Sequence, residues 1–263
     1  MHDNPKQLAA FFDTLCAAAA EQTLSRFRLP LDIANKLDSG FDPVTEGDRE
    51  AEKAIRALLK EHLPNDGIVG EEFGRENENA AFQWIIDPID GTRAFISGIP
   101  VWGTLIGLYK DGVPYAGVMD QPFTGERYVA LPGSQPTLSL RNSAPQPLAT
   151  RATENLEAAT LMTTSPNIFP TDHKPRYDAL ERTTKLVRYG CDCYAYAMVA
   201  SGQVDMVAES GLSSYDIAAL IPIIEGAGGV VSTWDGESAA QGGTVLASAN
   251  RTLHEKALKA LSP

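Results

Sequence analysis

Four acidic segments of the 263-residue chain carry the residue types that bind divalent cations. They are Gly70-Glu71-Glu72, residues 87–92, residues 42–48 and Tyr215-Asp216, and each lies near the end of a predicted strand or the start of a predicted helix. Carboxylates at the ends of strands in one sheet converge, and they repel one another unless a cation neutralises them. Ligands that are all oxygen atoms favour Mg²⁺ or Mn²⁺ over zinc. The sequence therefore predicts a divalent-metal site built from distant segments.

Residues 87–92 combine a predicted metal site with a predicted anion site. Pro88 fixes one backbone dihedral, which holds the two aspartates of the segment on one side of a turn and aims the carbonyl group of Ile89 inward. Gly91 permits a ligand to approach the backbone closely, and Thr92 can begin a helix whose free amide groups bind a phosphate. An Asx turn with a helix N-cap uses the same residue types, but it does not require the apolar strand that comes before.

Two helices and several short strands are predicted around these segments. Apolar residues recur at helical spacing over residues 6–28, and a capping-box-like start at Thr45 leads into a second apolar stripe that ends before Pro64. From residue 68 to residue 130 the pattern changes to short apolar runs punctuated by Gly and Pro, which are typical of strands. Tight turns between the runs indicate a largely antiparallel sheet.

A polar stretch at residues 133–153 has weak periodicity and marks a predicted seam. We therefore expect an α+β half at residues 1–150 with most of the metal ligands, and an α/β half at residues 151–263 in which strands and helices alternate. Pro222 lies inside a helix predicted at residues 217–226, and it should kink or break that helix.

Composition and charge exclude several classes of protein. A hydrophobic content of 43% is typical of a folded globular protein, and 22 basic against 34 acidic residues give a formal charge of −12. A negative charge of this size repels phosphate backbones and anionic lipid, so we expect neither a nucleic-acid nor a membrane partner. Three cysteines disfavour a disulfide framework, and the start of the chain lacks a secretion pattern. These features favour a cytoplasmic protein.

The acidic segments resemble the signatures of the inositol monophosphatase family. The resemblance rests on Gly70-Glu71-Glu72, on residues 84–92, on residues 215–219 and on residues 225–229, which occur in the family's order and spacing along nearly the whole chain. It implies a layered αβαβα sandwich of the inositol monophosphatase and fructose-1,6-bisphosphatase type. It also implies a magnesium-dependent, lithium-sensitive hydrolase of phosphate monoesters that forms a homodimer.

The resemblance further implies which residues hold the metal ions. One Mg²⁺ would be bound by Glu71, Asp87 and the carbonyl of Ile89, and a second by Asp87, Asp90 and Asp216. Glu71 would also help to bind a looser third ion. Two neighbouring cations lower the pKa of water and neutralise charge on the attacking and leaving oxygens of an in-line displacement.

The same resemblance implies which residues activate the attacking water and which bind the phosphate. Thr92 with Asp48 would orient and deprotonate the attacking water, and the amides of Gly91 and Thr92 would hold the phosphate. Glu72 is either a direct metal ligand or a residue with a supporting or surface role. Lys36 is either near the metal site or a solvated lysine at a helix end.

Within the family, residues 90–98, 102–106 and 190–196 most closely resemble the histidinol-phosphate phosphatases. Histidinol phosphate carries an amine and an imidazole, whereas inositol is neutral, so we expect Asp192 and Glu209 to determine specificity. Arg93 would contact the phosphate or brace these acids. A helix N-cap is the alternative role for Asp192.

Two other functions are alternatives to this one. An inositol or broad sugar-phosphate phosphatase is the alternative enzyme, and a non-catalytic binding protein is the alternative class.

Cys191 and Cys193 should be buried thiols, since no second pair or nearby histidine completes four metal ligands. The four histidines should lie away from every motif, which disfavours phosphohistidine chemistry.

Overall fold

The amino-terminal helices begin where the sequence places its capping residues. The computed structural model describes residues 1–36, 43–141 and 143–262. Helix α1 (Pro5–Leu24) is capped by Asn4. Strands β1 (Ile33–Asn35) and β2 (Pro43–Thr45) pair antiparallel and lead into helix α2 (Glu46–His62). The predicted capping box at the start of α2 is confirmed, because Thr45 and Asp48 bond reciprocally.

An eight-stranded mixed sheet follows, in the order β10-β9-β8-β7-β6-β5-β3-β4. Only the β3–β5 pairing is parallel among its described strands, so the predicted antiparallel character is confirmed. The short helix α3 (Thr92–Ile96) directly follows β5. The strands are β3 (Gly67–Gly70), β4 (Gly74–Glu76), β5 (Phe82–Asp90), β6 (Gly103–Lys110), β7 (Val113–Gln121), β8 (Glu126–Ala130), β9 (Thr137–Leu140) and β10 (Gln146–Pro147).

The second half of the chain forms a five-stranded sheet in the order β12-β11-β13-β15-β14. Strand β11 pairs parallel with both of its neighbours, and the other pairings are antiparallel. A 3-10 turn at Leu156–Ala158 precedes the sheet. The elements are β11 (Thr160–Thr163), α4 (Lys174–Glu181), β12 (Leu186–Tyr189), α5 (Asp192–Ala200), β13 (Met206–Leu212), α6 (Ser214–Ile217), α7 (Leu220–Gly226), β14 (Val230–Ser232), β15 (Gly243–Ser248) and α8 (Arg251–Leu261).

Three apolar clusters stack these elements into five layers. The first cluster packs α1 and α2 on one face of the eight-stranded sheet, through side chains such as Phe12 and Trp84. The second joins the opposite face of that sheet to α5, α6 and α7 and to the five-stranded sheet. The third packs α4 and α8 on the outer face of the five-stranded sheet. The layer order is therefore αβαβα, as the resemblance implied.

Several predicted boundaries move, each for a local reason. Helix α1 ends at Leu24 rather than near Arg28, which has a positive φ of 63°, and Phe27 instead packs against Phe95. The predicted seam contains the strands β9 and β10, and the second cluster joins residues on both sides of residue 150. The division into two halves at that residue therefore stays a prediction.

Pro222 has the predicted effect on its helix. It lacks an amide hydrogen and its ring crowds the residue four positions earlier, so the helical hydrogen bonding is interrupted at Ala218 and Ala219. The result is two short helices, α6 and α7, where the sequence predicts one. No described helix is both long enough and apolar enough to cross a lipid bilayer.

Candidate active site

A polar cavity of about 370 Å³ opens where β5 meets α3 and where α5, β13 and α6 converge. All the predicted site residues except Asp48 line this cavity, and Asp48 lies directly behind Thr92. Asp42, at the start of the third acidic segment, lies outside the described residues. The lining includes Glu71, Asp87, Ile89, Asp90, Gly91, Thr92, Arg93, Asp192, Glu209 and Asp216.

Three aspartates form the centre of the cavity. Oxygen atoms of Asp87, Asp90 and Asp216 all lie within 4.8 Å of one another. Each carboxylate is oriented by one backbone amide: that of Ile89 for Asp87 (3.1 Å), that of Cys193 for Asp90 (2.6 Å) and that of Ser213 for Asp216 (2.7 Å). Three different regions of the chain therefore hold the cluster in place before any ligand binds.

The protonation of this cluster reflects burial and crowding. Burial and the neighbouring carboxylates raise the pKa of Asp87 and that of Asp90 well above their ordinary range. Burial raises the pKa of Asp216 to about 7, although the amide of Ser213 opposes the shift. Buried carboxylates this close together are stable in their ionised form only beside a positive charge. The oxygen donor set fits Mg²⁺ or Mn²⁺, because these ions prefer carboxylate and carbonyl ligands.

Glu71 and Glu72 extend the acidic site after β3. Lys36 Nζ lies 2.8 Å from Glu71 Oε1 and 2.5 Å from Glu72 Oε1. Burial lowers the pKa of Lys36, but the two carboxylates outweigh burial and raise it above its ordinary value. Lys36 therefore lies beside Glu71, and its place at a metal site stays a prediction.

A buried carboxylate that sequence analysis missed supports this turn. Glu52 is 0% exposed, and its oxygens accept hydrogen bonds from the amides of Glu72 (2.8 Å) and Phe73 (3.2 Å) and from Arg56 Nε (2.7 Å). A Cβ atom on Gly70 would lie 1.9 Å from Glu52 Oε1, so the close approach requires glycine there. Glu52 follows Asp48 by one helical turn, which was the only sequence signal for its inward direction.

Thr92 and Asp48 are hydrogen-bonded partners. Thr92 Oγ1 lies 3.5 Å from Asp48 Oδ1 and 3.1 Å from the carbonyl oxygen of Ile89. The other oxygen of Asp48 accepts from the amide (2.8 Å) and the hydroxyl (2.6 Å) of Thr45. Burial raises the pKa of Asp48 to about 6, and the bonds from Thr45 oppose the shift. The pair is positioned to hold and accept a proton near neutral pH.

A second pair of acids lies on the other side of Gly91. Asp192 begins α5 with a φ of 44°, and a Cβ atom on Gly91 would lie 3.1 Å from the Cβ of Asp192. The N-cap alternative for Asp192 is wrong, because Cys191 is in the cap position and Asp192 follows it inside the helix. Burial raises the pKa of Asp192, while Thr164 and Arg93 oppose the shift.

Glu209 completes this second pair from β13. Its Oε1 accepts from the amide (2.7 Å) and from the hydroxyl (2.6 Å) of Thr164. Burial raises the pKa of Glu209 to about 7, although these two bonds lower it. Thr164, which directly follows β11, was missed by sequence analysis.

Two expectations about other polar residues need correction. His173 is not remote from the site, since its Nδ1 lies 2.6 Å from Ser210 Oγ and Ser210 lines the cavity. Cys193 is buried as predicted, but Cys191 is partly exposed. The two cysteines face different surroundings because they are two positions apart at the start of a helix.

Comparison with known proteins identifies relatives of this chain. A sequence model of the inositol monophosphatase family matches residues 4–263. The chain is 40% identical to the chloroplastic bifunctional phosphatase IMPL2 of Arabidopsis thaliana, over 97% of this chain and 75% of that protein. It is 37% identical to a histidinol-phosphatase of Mycobacterium tuberculosis, over 94% of this chain and 95% of that protein.

A solved structure has the same fold. An inositol monophosphatase from Zymomonas mobilis superposes with a TM-score of 0.86 and 37% identity, over 97% of this chain and 98% of that one. Relatives with two different substrates in their names therefore reach the same level of identity. Overall similarity does not distinguish the substrates, and the residues of the cavity must do so.

Proposed function

The chain belongs to the inositol monophosphatase family and is a phosphoric monoester hydrolase, and we propose that its substrate is L-histidinol phosphate, which it converts to L-histidinol and phosphate. One observation carries the choice of substrate: two acids, the buried Glu209 and the partly buried Asp192, line the same cavity as Gly91 and Thr92, which we expect to bind the phosphate. A cationic amine and an imidazole complement two acids, whereas a neutral polyol offers only hydroxyl groups.

The metal site is proposed from the same geometry. Glu71, Asp87, the carbonyl of Ile89, Asp90 and Asp216 would hold Mg²⁺, or Mn²⁺, with two or three ions in all. When bound, the ions neutralise the phosphate and lower the pKa of water near phosphorus. The protein contributes a set of ligands that backbone amides already orient. This arrangement limits the reorganisation needed in the reaction.

The remaining residues accept a proton or bind the phosphate. Asp48 accepts a proton through Thr92, and its pKa of about 6 leaves it mostly ionised at neutral pH. Gly91 is the N-cap residue of α3 and Thr92 is its first residue, and no side chain caps this end, so we expect their amides to bind the phosphate oxygens. Arg93 adds a positive charge near Asp192 and the phosphate.

An inositol or sugar phosphate is the alternative substrate, and the similarity to the Zymomonas mobilis enzyme favours it. The deciding measurement is kcat/KM for histidinol phosphate against inositol 1-phosphate at one Mg²⁺ concentration. We expect histidinol phosphate to be preferred by at least about tenfold, about 1.4 kcal/mol in transition-state binding. A preference for inositol phosphate would reject the proposed substrate.

Two variants test whether residues of the cavity cause this substrate preference. Asp192→Asn should lower kcat/KM for histidinol phosphate by about tenfold or more, and should affect inositol 1-phosphate less. Asp235→Asn is a matched control, since Asp235 is an exposed aspartate that pairs with Arg176 away from the cavity. If the purified protein with Mg²⁺ hydrolysed no phosphate ester and instead retained a specific partner, the binding-protein alternative would replace the proposal.

A further inference from the structure

Thr164 lies between the two acids of the proposed specificity pair. Its amide and its hydroxyl both donate to Glu209 Oε1, at 2.7 and 2.6 Å, and the same hydroxyl oxygen lies 3.4 Å from Asp192 Oδ1. We propose that Thr164 is a positioning residue for specificity: its two bonds fix Glu209 next to Asp192, so that the two acids form one receptor for a primary ammonium group on the leaving side of the phosphate ester. This inference rests on the proposed function and names the group that its substrate must carry.

The topology of the five-stranded sheet explains why Thr164 can act this way. The parallel pairing of β11 with β13 aligns Leu161 with Met206 and Met162 with Val207. When this register is extended to the ends of the two strands, Thr164 pairs with Glu209. On the other edge of β11, the parallel partner β12 ends at Tyr189, three residues before Asp192. The ends of three adjacent parallel strands therefore bring Thr164, Glu209 and Asp192 to one point.

Electrostatics explain why a neutral donor is useful there. Glu209 is buried and Asp192 is partly buried, and burial together with the nearby charge of Asp192 raises the pKa of Glu209. The two bonds from Thr164 favour the ionised form of Glu209 without adding a positive charge. A lysine in this place would neutralise one of the two negative charges and compete with a cationic ligand. A threonine keeps the pair negative and fixes its geometry.

The receptor selects by the number of hydrogen atoms that a ligand can donate. Because both donors of Thr164 bind Oε1, the other carboxylate oxygen of Glu209 is left as the acceptor for a ligand. A primary ammonium group has three donors and a full charge, so it can bond to Glu209 and Asp192 together. A single hydroxyl has one donor and no charge. The discrimination therefore depends on holding the two acids at a fixed separation.

The test compares Thr164→Val with Thr164→Ser. Valine keeps the shape but removes the hydroxyl, whereas serine retains it. Substrates are histidinol phosphate, 2-aminoethyl phosphate and the neutral ester glycerol 2-phosphate. We expect Thr164→Val to lower kcat/KM for the two ammonium esters about tenfold more than for glycerol 2-phosphate, mainly through KM. Thr164→Ser should restore most of this discrimination.

A control variant and a product-inhibition measurement complete the design. Thr184→Val is the matched control, because its hydroxyl bonds to the carbonyl of Glu181 outside the cavity, and it should leave all three activities unchanged. Competitive inhibition by histidinol, measured with glycerol 2-phosphate as substrate, should weaken about tenfold in Thr164→Val. Thermal unfolding of each variant establishes that it is folded.

The outcomes separate this inference from the proposed substrate. Equal losses on charged and neutral esters, or an unchanged inhibition constant for histidinol, would overturn the role of Thr164. A wild-type preference for inositol 1-phosphate would reject histidinol phosphate as the substrate. In that case the comparison of 2-aminoethyl phosphate with glycerol 2-phosphate would still decide whether Thr164 builds an ammonium receptor.

Discussion

Adding Mg²⁺ to the metal-free protein should raise its unfolding temperature more at about pH 8 than at about pH 5. The reason is competition with protons at Asp216, whose burial raises its pKa from 3.8 to about 7. Burial and neighbouring carboxylates raise the pKa of Asp87 and that of Asp90 as well. At the lower pH a cation must displace a proton from the cluster, whereas at the higher pH Asp216 is already ionised.

The size of the effect follows from this pKa. At about pH 5 roughly 1% of Asp216 is ionised, so the apparent affinity for Mg²⁺ is about 100-fold weaker than at about pH 8, or about 2.7 kcal/mol. With Mg²⁺ in large excess, this difference corresponds to about 5–10 °C in unfolding temperature for a chain of this size. The protonated carboxyls of Asp87 and Asp90 make the dependence steeper.

The unfolding temperature without metal is a poorer readout, because buried carboxyls such as Asp216 and the buried His254 change stability in opposite directions with pH. Native Asp216 keeps a proton that the unfolded chain has released, so its contribution to stability is lost as the pH rises from about 4 through 7. His254 is buried, and its pKa falls to about 4, so its contribution is lost as the pH falls from about 6.5 through 4. His254 acts equally with and without Mg²⁺, and it cancels in the metal-induced shift.

Differential scanning calorimetry after removal of metal by a chelator measures this shift at the two pH values. Titration calorimetry in buffers of different ionisation enthalpy should show proton release when Mg²⁺ binds at the lower pH. Asp216→Asn should remove most of the Mg²⁺-induced shift, whereas Asp235→Asn, at an exposed ion pair, should not. An equal Mg²⁺-induced shift at both pH values, or an unchanged shift in Asp216→Asn, would refute the assignment of this cluster.

Three further variants test the supporting residues. Asp48→Asn can keep the bonds from Thr45 but loses a proton acceptor for Thr92, so kcat should fall about 100-fold or more with little change in unfolding temperature. Glu52→Gln should lower stability by about 3 kcal/mol and weaken Mg²⁺ binding in titration calorimetry, and normal binding in a folded variant would contradict its role in holding the turn after β3. Gly91→Ala should lose about 1–2 kcal/mol in denaturant unfolding because the native φ is +82°, and full stability would show that the backbone adapts.

Local sequence signals gave the acidic segments and most of the elements around them. The capping box at Thr45 and the apolar strand before Asp87 act within a few residues, so their outcome does not depend on the rest of the fold. The break before Pro222 is local as well. The strands β9 and β10 escaped prediction because they are only four and two residues long and pair at the edge of a sheet.

The residues that support the site escaped prediction for a different reason. Glu52, Thr164 and His173 have no distinctive neighbours in the sequence, and their partners lie about 20 to 45 positions away. Their roles depend on the register of paired strands and on which face of a helix is buried. Nothing local encodes such a register.

The sequence by itself determined that several carboxylates would follow strands and begin helices, and it carried the family's order of those residues. Only the tertiary structure decided that Asp87, Asp90 and Asp216 lie within 4.8 Å of one another and that Thr164 joins Asp192 to Glu209. The physical reason is that helix and turn signals act through bonds near in the chain, whereas the separation of two charges is fixed by packing and strand pairing across the whole fold.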